Sequence, residues 1–454
     1  MTSLAQMLVD AGKHVAGSDV AEEFVTQEIL NSLPIEIDQS LTALLPAETE
    51  CVIYTSAHLA DQNSQVQQAR ARNLAVFSQA EAVAFFFNQQ YGLAVCGVGG
   101  KSTTSAMLTW IFEELGRSPS FSVGVGNIPG LNRTGRWNPE ADEFIIEADE
   151  YVINPHAAEQ GEELIPRFTF LKPELIVCTN LKYDHPDVYR DFAHTKQVFA
   201  DFFAQLPADG TLIVQDKDLA VIAQLPQIQT AQFKILTYGE SSISDLQLLN
   251  FQAEVGKTKT VFSWQGQKYQ LELLVPGLFN ALNALSAILA ATQLGLDPTA
   301  AAQALASFRS TKRRFEYIGT KDEVDYYDDY AHHPHEIEAM VAALNEWFPG
   351  RRKVIAFQSH TYSRTKELFD QFVSAFAEAK EVVMIDIFSS AREKNDPTIT
   401  SDKLCAAINQ AYQIPAQNLG SLAALAEFCQ QELHSGDVLL TMGAGDIYLV
   451  HEMI

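Results

Sequence analysis

The sequence lacks the features that mark membrane-spanning and secreted proteins. It contains no run of 18 apolar residues, and its first residues show neither the basic segment nor the apolar stretch of a signal peptide. Its five cysteines are scattered without a Cys-x-x-Cys pair or another metal-ligand spacing, and their odd number argues against a disulfide framework. We therefore expect a cytoplasmic protein without membrane insertion.

Basic residues are also scarce. The chain has 31 lysines and arginines against 57 aspartates and glutamates, which gives a formal net charge of -26. This charge disfavours nonspecific binding to nucleic acids or to anionic membranes, although a local basic pocket could still hold phosphates. We expect no nucleic-acid partner.

The composition is that of a globular protein, with 47% hydrophobic and 19% charged residues. A chain of 454 residues is too long for one ordinary core, so several domains are expected. Short apolar strands alternate with helical patterns throughout, which is typical of α/β folds. The pattern suggests three domains, at residues 1–88, 89–308 and 309–454.

A glycine-rich stretch, residues 95–104, follows an apolar strand and precedes a helical pattern. Glycines let backbone N–H groups approach an anion, and the helix N-terminus adds its positive end. Lys101 adds a full charge, and Ser102 offers a hydroxyl to Mg²⁺. The strict P-loop pattern is not met, because Val95 stands where its first glycine belongs, and an incidental lysine in a glycine-rich connection is the alternative. We interpret the stretch as an ATP site.

Polar groups follow other predicted strands of the middle segment. The strand Glu143 to Glu147 ends in acidic residues that suit Mg²⁺ or its waters, and His185 follows the strand Leu175 to Thr179. Because ligands bind at the carboxyl ends of parallel strands, both residues are candidates for phosphate or metal contacts. Asn280 and Asn283 lie one helical turn apart, where they could contact a base or merely cap the helix.

The last segment brings basic, acidic and histidine residues together. Lys312, Arg313 and Arg314 are three adjacent basic residues in an acidic chain, and arginine suits a phosphate or carboxylate. The strand Val324 to Asp328 runs into Asp-Asp-Tyr-Ala-His-His-Pro, which places carboxylates and imidazoles at one strand-to-helix corner. Polar motifs also follow the later strands, so a second nucleotide-type sheet is expected.

These stretches together resemble the Mur ligases, the ATP-dependent amino-acid ligases of peptidoglycan precursor synthesis, and most closely their alanine-adding branch. The matching stretches span nearly the whole chain in family order, at residues 97–104, 147–150, 180–187, 312–315, 328–334, 358–365 and 443–447.

The resemblance implies an N-terminal Rossmann-like UDP-binding domain, a central P-loop ATPase domain with a mostly parallel sheet and a Rossmann-like C-terminal domain. It also implies a reaction in which the γ-phosphate of ATP activates the carboxylate of UDP-N-acetylmuramate, and the amino group of L-alanine attacks the acyl phosphate. ATP and Mg²⁺ are the expected cofactors, and a monomer or weak homodimer is expected.

Site residues follow from the resemblance, position by position. Catalytic roles are implied for Lys101, Glu147, His185, Asp328 and His332. ATP contacts are implied for Gly97, Gly99, Gly100, Lys101, Ser102, Thr103, Asn280, Asn283 and Arg314. Substrate contacts are implied for Ser18, Asp19, Ser56, Asn127, His360 and Arg364. Magnesium ligands, direct or through water, are implied at Ser102, Glu147 and His185.

The chain also departs from the family pattern. Val98 and Gly99 replace the usual Thr-His of the loop, and Phe279 replaces a common histidine. Ser359 and Thr361 replace a proline and an arginine near the amino-acid site, which leaves the amino acid open. Glu150-Tyr151 is similar to the branch that ligates a recycled murein tripeptide, which is the alternative function. A nucleotide-binding homologue without catalysis is the other alternative.

The start of the sequence is a further departure. Family members carry a strand and a glycine-rich turn before the helix that here begins near Ser3, and that turn helps to bind the UDP pyrophosphate. We expect Met1 to be an internal methionine of a chain longer by about one strand and turn.

Overall fold

The computed structural model describes residues 1–20, 24–40, 42–55, 62–157, 161–185, 188–389 and 395–454. Contacts divide the chain into two compact units. The first contains residues 1–250, 260–271 and 282–308, and the second contains residues 251–259, 272–281 and 309–454. The predicted domain borders at 88/89 and 308/309 stay a prediction.

The first 90 residues form short elements around two small parallel sheets, β1 with β2 and β3 with β4. The strands are β1 (Ala16–Ser18), β2 (Glu36–Asp38), β3 (Cys51–Tyr54) and β4 (Ala75–Ser78). The helices are α1 (Thr2–Asp10), α2 (Gln27–Asn31), α3 (Ser64–Ala71) and α4 (Gln79–Phe87). Helix α4 begins with a capping box between Ser78 and Glu81, which satisfies backbone N–H groups at its first turn.

A ten-stranded sheet follows, in the order β14-β13-β12-β11-β10-β9-β5-β8-β6-β7. Its strands are β5 (Tyr91–Cys96), β6 (Ser120–Ser122), β7 (Gly135–Arg136), β8 (Glu143–Glu147), β9 (Leu175–Cys178), β10 (Thr211–Gln215), β11 (Lys234–Gly239), β12 (Leu246–Glu254), β13 (Lys257–Trp264) and β14 (Gln267–Leu273). Strand β5 pairs in parallel with β8 and β9, so the carboxyl ends of these three strands lie side by side.

The helices of this part are α5 (Lys101–Glu114), α6 (Phe192–Phe203), α7 (Asp216–Ile222), α8 (Pro226–Gln229), α9 (Leu278–Gln293) and α10 (Pro298–Leu305), with a 3₁₀ turn at Arg167–Phe170. Helix α5 is buried from Ser102 to Phe112, which fixes its N-terminus against the sheet. Phe168 and Phe202 stack in the core with ring centroids 4.2 Å apart. Burial of an aromatic side chain of this kind contributes about 2–3 kcal/mol.

The second unit contains a six-stranded sheet in the order β15-β16-β20-β17-β18-β19, parallel except for the β15–β16 hairpin. Its strands are β15 (Glu316–Lys321), β16 (Val324–Asp329), β17 (Lys353–Phe357), β18 (Val382–Ile385), β19 (Ala416–Gly420) and β20 (Val438–Met442). Its helices are α11 (Pro334–Trp347), α12 (Tyr362–Glu367), α13 (Phe369–Ala375), α14 (Ser401–Tyr412) and α15 (Leu422–Glu432), followed by a 3₁₀ turn at Ile447–Glu452.

The central strand β17 is apolar after its first residue, Lys353. Ile355 and Phe357 pack into one hydrophobic core, while Val354 and Ala356 pack into another. Because side chains alternate across a strand, helices on both faces of this sheet leave no solvent-facing position. The apolar run Val354 to Phe357 therefore belongs to a parallel strand that is covered on both faces.

The predicted strand Glu143 to Glu147 is confirmed at its bounds, and the strands predicted at Leu175 to Thr179 and Val324 to Asp328 are confirmed to within one residue. Helix α9 begins at Leu278, directly after Gly277, whose φ of +91° ends the preceding extended segment. Within the described residues, no helix is long and apolar enough to cross a membrane.

Candidate active site

The glycine-rich loop joins strand β5 to helix α5. Gly97 has φ +125° and Gly100 has φ +82°, conformations that side chains rarely adopt. A Cβ at Gly97 would collide with Thr179 Oγ1, and a Cβ at Gly100 would lie 2.7 Å from Asn283 Oδ1. Since the first N–H groups of a helix have no partner within it, the loop presents the N-terminus of α5 as an anion site.

Lys101, the first residue of α5, forms a buried ion pair. Its Nζ lies 2.7 and 2.9 Å from the two carboxylate oxygens of Glu150, whose side chain is 2% exposed. Burial alone would lower the pKa of Lys101, but the carboxylates of Glu150, Asp149 and Glu147 outweigh it and raise the pKa above its usual range. Lys101 therefore carries a full positive charge beside the loop.

His185 shares the same carboxylate. Its Nε2 lies 3.6 Å from a Glu150 oxygen, and its ring packs against Tyr151 at 4.9 Å between centroids. Burial would lower the pKa of His185, but the hydrogen bond to Glu150 and the nearby Asp184 raise it. Two predicted functional residues, Lys101 and His185, thus have Glu150 as a common counter-ion.

Glu147 connects the loop to the second glycine-rich segment. Its carboxylate accepts hydrogen bonds from Ser102 Oγ at 2.8 Å and from the backbone N–H of Gly124 at 2.7 Å. On the same segment, the buried Asn127 Oδ1 has no hydrogen-bond partner among the described residues. A buried amide oxygen without a partner is costly, so Asn127 is suited to a ligand that donates a hydrogen bond.

The residues present fit a magnesium ion that is shared with phosphates. Within the described residues, no group of three or more His, Cys, Asp or Glu could hold a metal ion by itself. Mg²⁺ bound to a nucleotide needs only one or two protein oxygens, since phosphate oxygens and waters supply the others. The Ser102 hydroxyl and the Glu147 carboxylate are oxygen donors of this kind, and they lie in direct contact.

The two residues that follow strand β9, Thr179 and Asn180, form hydrogen bonds to the glycine-rich loop. Asn180 Oδ1 accepts hydrogen bonds from the N–H groups of Val98 and Gly99 at 3.1 and 3.2 Å, and Asn180 Nδ2 donates to the Gly99 carbonyl at 2.8 Å. Thr179 Oγ1 donates to the same carbonyl at 2.6 Å. The predicted ATP contact through Gly99 is thus a position whose N–H group already has a protein acceptor.

In the second unit, Arg313 and Asp328 form a buried pair. Arg313 Nε lies 2.9 Å from Asp328 Oδ2, and its other nitrogens donate to the carbonyls of Gly443 and Gly445. Thr441 Oγ1 donates to the other oxygen of Asp328 at 2.6 Å. Asp328 therefore links strand β16 to Arg313 and to strand β20. Its predicted catalytic role stays a prediction.

Asp329 is a buried carboxyl that accepts backbone hydrogen bonds from Phe315 and Ala331, both at 2.7 Å. Burial raises its pKa from 3.8 to about 7, against the opposing charge of Arg314. The folded chain then binds more protons at this group than the unfolded chain between these two pH values. The contribution of Asp329 to stability is complete below pH 4 and is lost as the pH rises through 7.

We expect Asp329→Asn to remove part of this pH dependence. The free energy of unfolding of the wild type should fall, relative to the variant, by on the order of 4 kcal/mol between pH 4 and pH 8. Asp325→Asn is the control on the same strand, because Thr320 and Arg351 lower the pKa of Asp325 despite burial, so its contribution is lost only below pH 4. Denaturant titrations at several pH values measure both; parallel wild-type and Asp329→Asn curves would contradict the assignment.

Two predicted site residues, His332 and His360, lie near each other in the second unit. The rings of His332 and His360 have centroids 6.4 Å apart, and His360 stacks on Phe388. Arg364 lies on helix α12. This helix begins directly after Thr361, which has φ +72°. A cavity of about 320 Å³ opens beside this group, lined by residues that follow strands β17, β18, β19 and β20, among them Gln358, Asp386, Phe388, Ser421 and Asp446.

Arg314 and His332 converge on Glu336 of helix α11. Arg314 lies 3.9 Å and His332 Nδ1 lies 3.5 Å from its carboxylate oxygens. Burial would raise the pKa of Glu336, but His332 and Arg314 lower it. The guanidinium of Arg314 also faces the ring of Tyr330 at 5.1 Å. Glu336 thus holds two of the predicted residues in place.

The remaining predicted residues lie at helix starts and strand ends. Asn280 Nδ2 donates to the Pro276 carbonyl at 2.8 Å in the first turn of α9, and Asn283 follows one turn later. At the end of β1, Ser18 donates to Gln65 at 2.8 Å and Asp19 accepts from the Val20 N–H. Ser56 lies outside the described residues. The predicted roles of these residues stay predictions.

Comparisons with known proteins show the family of this chain. Three family models match in chain order: the Mur ligase family catalytic domain at residues 1–91, the Mur ligase middle domain at 95–291 and the Mur ligase glutamate ligase domain at 313–445. A UDP-N-acetylmuramate–L-alanine ligase of Desulfitobacterium hafniense (strain Y51) is 32% identical over 456 residues, covering 100% of this chain and 96% of that protein. This chain belongs to the Mur ligase family.

Solved structures show the same fold. The UDP-N-acetylmuramate–alanine ligase of Thermotoga maritima matches with a TM-score of 0.79 at 23% identity, covering 100% of this chain and 95% of that chain. A murein peptide ligase of Psychrobacter arcticus 273-4 matches with a TM-score of 0.69 at 20% identity and the same coverage. The expected three-domain α/β fold of a Mur ligase is confirmed.

Sequence reasoning missed the contacts of three residues of this Mur ligase, two in the first unit and one in the second. Glu150 was only part of an acidic run, Asn180 only part of a strand-end motif, and Arg313 only one of three basic residues. Their partners are 49, 81 and 15 residues away along the chain, for Lys101, Gly99 and Asp328 respectively. Each residue stands at or just beyond the end of a predicted strand or beside a predicted site residue, which was the available signal.

Proposed function

We propose that this chain ligates L-alanine to the carboxylate of UDP-N-acetylmuramate, with ATP hydrolysed to ADP and phosphate, in cytoplasmic peptidoglycan precursor synthesis. The observation that carries the proposal is the arrangement of Lys101, Ser102, Glu147 and His185 at the carboxyl ends of β5, β8 and β9. Similarity over the full length to an L-alanine ligase supports the choice of substrates.

The first step is transfer of the γ-phosphate of ATP to a carboxylate oxygen of the sugar substrate. A carboxylate is a poor electrophile and two anions must approach each other, so positive groups at the loop are the main requirement. Lys101 and the N–H groups at the start of α5 supply them. Bound Mg²⁺, held by Ser102 and Glu147 with His185 nearby, would neutralise further phosphate charge.

The second step is attack of the amino group on the acyl phosphate. A C–N bond forms, the C–O bond to the phosphate breaks, and the amine loses a proton. Arg364 would pair with the carboxylate of the amino acid, with His332 and His360 beside it, because guanidinium groups bind carboxylates through two parallel hydrogen bonds. Asn127, with its unsatisfied buried oxygen, would contact the UDP-sugar. Asp328, whose two oxygens accept hydrogen bonds from Arg313 and Thr441, would act beside these groups, and its catalytic role stays a prediction.

The test is ADP formation from Mg-ATP and UDP-N-acetylmuramate, alone and with L-alanine, glycine or L-serine, with the product identified by mass. We expect turnover to need both the UDP-sugar and an amino acid, and to be fastest with L-alanine. Turnover that needs a different amino acid would change the substrate. No turnover with any of them would favour a nucleotide-binding protein without ligase activity.

A second candidate is the recycling ligase that joins a whole tripeptide to UDP-N-acetylmuramate. The Glu150-Tyr151 pair favours it, because Tyr151 packs on His185 where the alanine-adding branch has a serine. The structural match to a murein peptide ligase is compatible with it but shows the fold alone. Adding the tripeptide L-alanyl-γ-D-glutamyl-meso-diaminopimelate to the same assay separates the two functions.

A further inference from the structure

The loop between Gly97 and Lys101 is hydrogen-bonded to the two residues that follow strand β9, Thr179 and Asn180. Within the described residues, the N–H groups of Val98 and Gly99 donate to Asn180 Oδ1, and the carbonyl of Gly99 accepts from Asn180 Nδ2 and Thr179 Oγ1. One carboxamide therefore satisfies both the donors and the acceptor of two consecutive peptide units.

The orientation of this carboxamide is fixed by its surroundings. If the oxygen and nitrogen were exchanged, the NH₂ group would face two N–H donors and the oxygen would face a carbonyl, so four groups would lose their hydrogen bonds. Thr179 N also donates to the Cys96 carbonyl at 2.9 Å, which joins the two strands directly below the loop. The contact thus requires one orientation of the carboxamide, and the backbone beside it is fixed by a hydrogen bond between the two strand ends.

The loop itself has little to hold it in one conformation. Three of its four residues between Cys96 and Lys101 are glycines, which lose more backbone entropy on ordering than other residues. Its fourth residue, Val98, has an apolar side chain that cannot satisfy a backbone donor. A loop of this composition would adopt many conformations without an external template.

We propose that Asn180 is a positioning residue that holds the phosphate loop in its nucleotide-binding conformation before ATP binds. The inference rests on the proposed use of this loop for ATP. Because Asn180 occupies the N–H groups of Val98 and Gly99, the phosphates bind the N–H groups at the start of α5 together with Lys101. Asn180 itself touches no reacting atom.

The inference is tested with Asn180→Ala and with a matched control, Asn88→Ala. Asn88 makes the same two-sided contact elsewhere in the first unit, accepting from the Lys172 N–H at 2.8 Å and donating to the Phe170 carbonyl at 3.0 Å. Loss of the Asn180 hydrogen bonds should weaken ADP binding about 10- to 100-fold, since two or three hydrogen bonds no longer favour the nucleotide-binding conformation of the loop. The control should bind ADP as the wild type does.

Calorimetric ADP binding, KM for ATP and the thermal midpoint are measured for each variant. For Asn180→Ala we expect a raised KM for ATP, an unchanged KM for UDP-N-acetylmuramate and a midpoint similar to that of the control. Wild-type ADP affinity in Asn180→Ala would overturn the inference, and so would an equal loss of affinity for both substrates. ADP binding does not depend on ligase turnover, so an inactive wild type would overturn the proposed function without affecting this test.

Asn180→Asp supplies a second readout that a purely structural residue would not show. Ionised aspartate accepts from Val98 and Gly99 but cannot donate to the Gly99 carbonyl, and it adds negative charge beside the phosphates. Protonated aspartic acid can replace both contacts, because it has one donor and one acceptor oxygen. An ordinary aspartate is ionised above about pH 4, so we expect the ADP affinity of Asn180→Asp, relative to the wild type, to be lower by about 10-fold or more at pH 8 and to recover as the pH falls towards 4. A flat ratio to the wild type would contradict the inference.

Discussion

Replacing Lys101 by methionine should lower kcat by about 10³-fold and also destabilise the first unit by about 3–5 kcal/mol. The two effects have separate causes. Loss of activity follows from removing the charge that offsets the phosphates. Loss of stability follows from Glu150, whose carboxylate is 2% exposed and would keep its charge in a buried position without its nearest cation. Activity assays and denaturant unfolding measure them independently.

The double variant Lys101→Met, Glu150→Gln separates the two effects. It removes both charges, so it should recover most of the lost stability, because a buried amide costs less than a buried carboxylate without a partner. It should remain as inactive as Lys101→Met alone. Recovery of activity in the double variant would show that Lys101 acts only through Glu150, and unchanged stability in the single variant would contradict the ion pair.

The sequence was sufficient to predict the residues that meet at the carboxyl ends of β5, β8 and β9. Lys101, Ser102 and Glu147 were placed together by one rule, that the carboxyl ends of parallel strands share an edge of the sheet. Strand bounds such as Glu143–Glu147 followed from apolar runs bounded by polar residues. These predictions succeeded because they depend on local pattern and on the order of strands.

The pairings inside the site could not be predicted in the same way. Glu147, Asp149 and Glu150 are three acidic residues in a span of four, and any of them could have met Lys101. The structure selects Glu150 for Lys101, Glu147 for Ser102 and Asp149 for Arg167. Strand β8 ends at Glu147, so the residues after it no longer follow the alternation of a strand. Spacing alone does not encode these directions.

Side-chain directions were also not predictable for Arg313 and Arg314, which were therefore assigned as one basic cluster. Arg313 has φ +63°, a left-handed conformation that turns its side chain into the interior, where it is 6% exposed. The next residue, Arg314, is 25% exposed and faces Tyr330 and Glu336. Adjacent residues of the same type therefore have different surroundings, one in a buried ion pair and one partly exposed.

Substitutions of Arg313 and Arg314 should therefore have different effects on stability and on KM for ATP. Arg313→Met should destabilise the second unit by about 3–5 kcal/mol, because it leaves Asp328 buried without its cation and frees the carbonyls of Gly443 and Gly445. Arg314→Met is the matched control, and it should cost at most about 1 kcal/mol, since its 3.9 Å pair with Glu336 is partly exposed. In turnover the order should reverse at temperatures where both variants are folded: Arg314→Met should raise KM for ATP, whereas Arg313→Met should leave it close to the wild-type value. Equal stability of the two variants would contradict the structural role of Arg313, and a wild-type KM in Arg314→Met would contradict its phosphate contact.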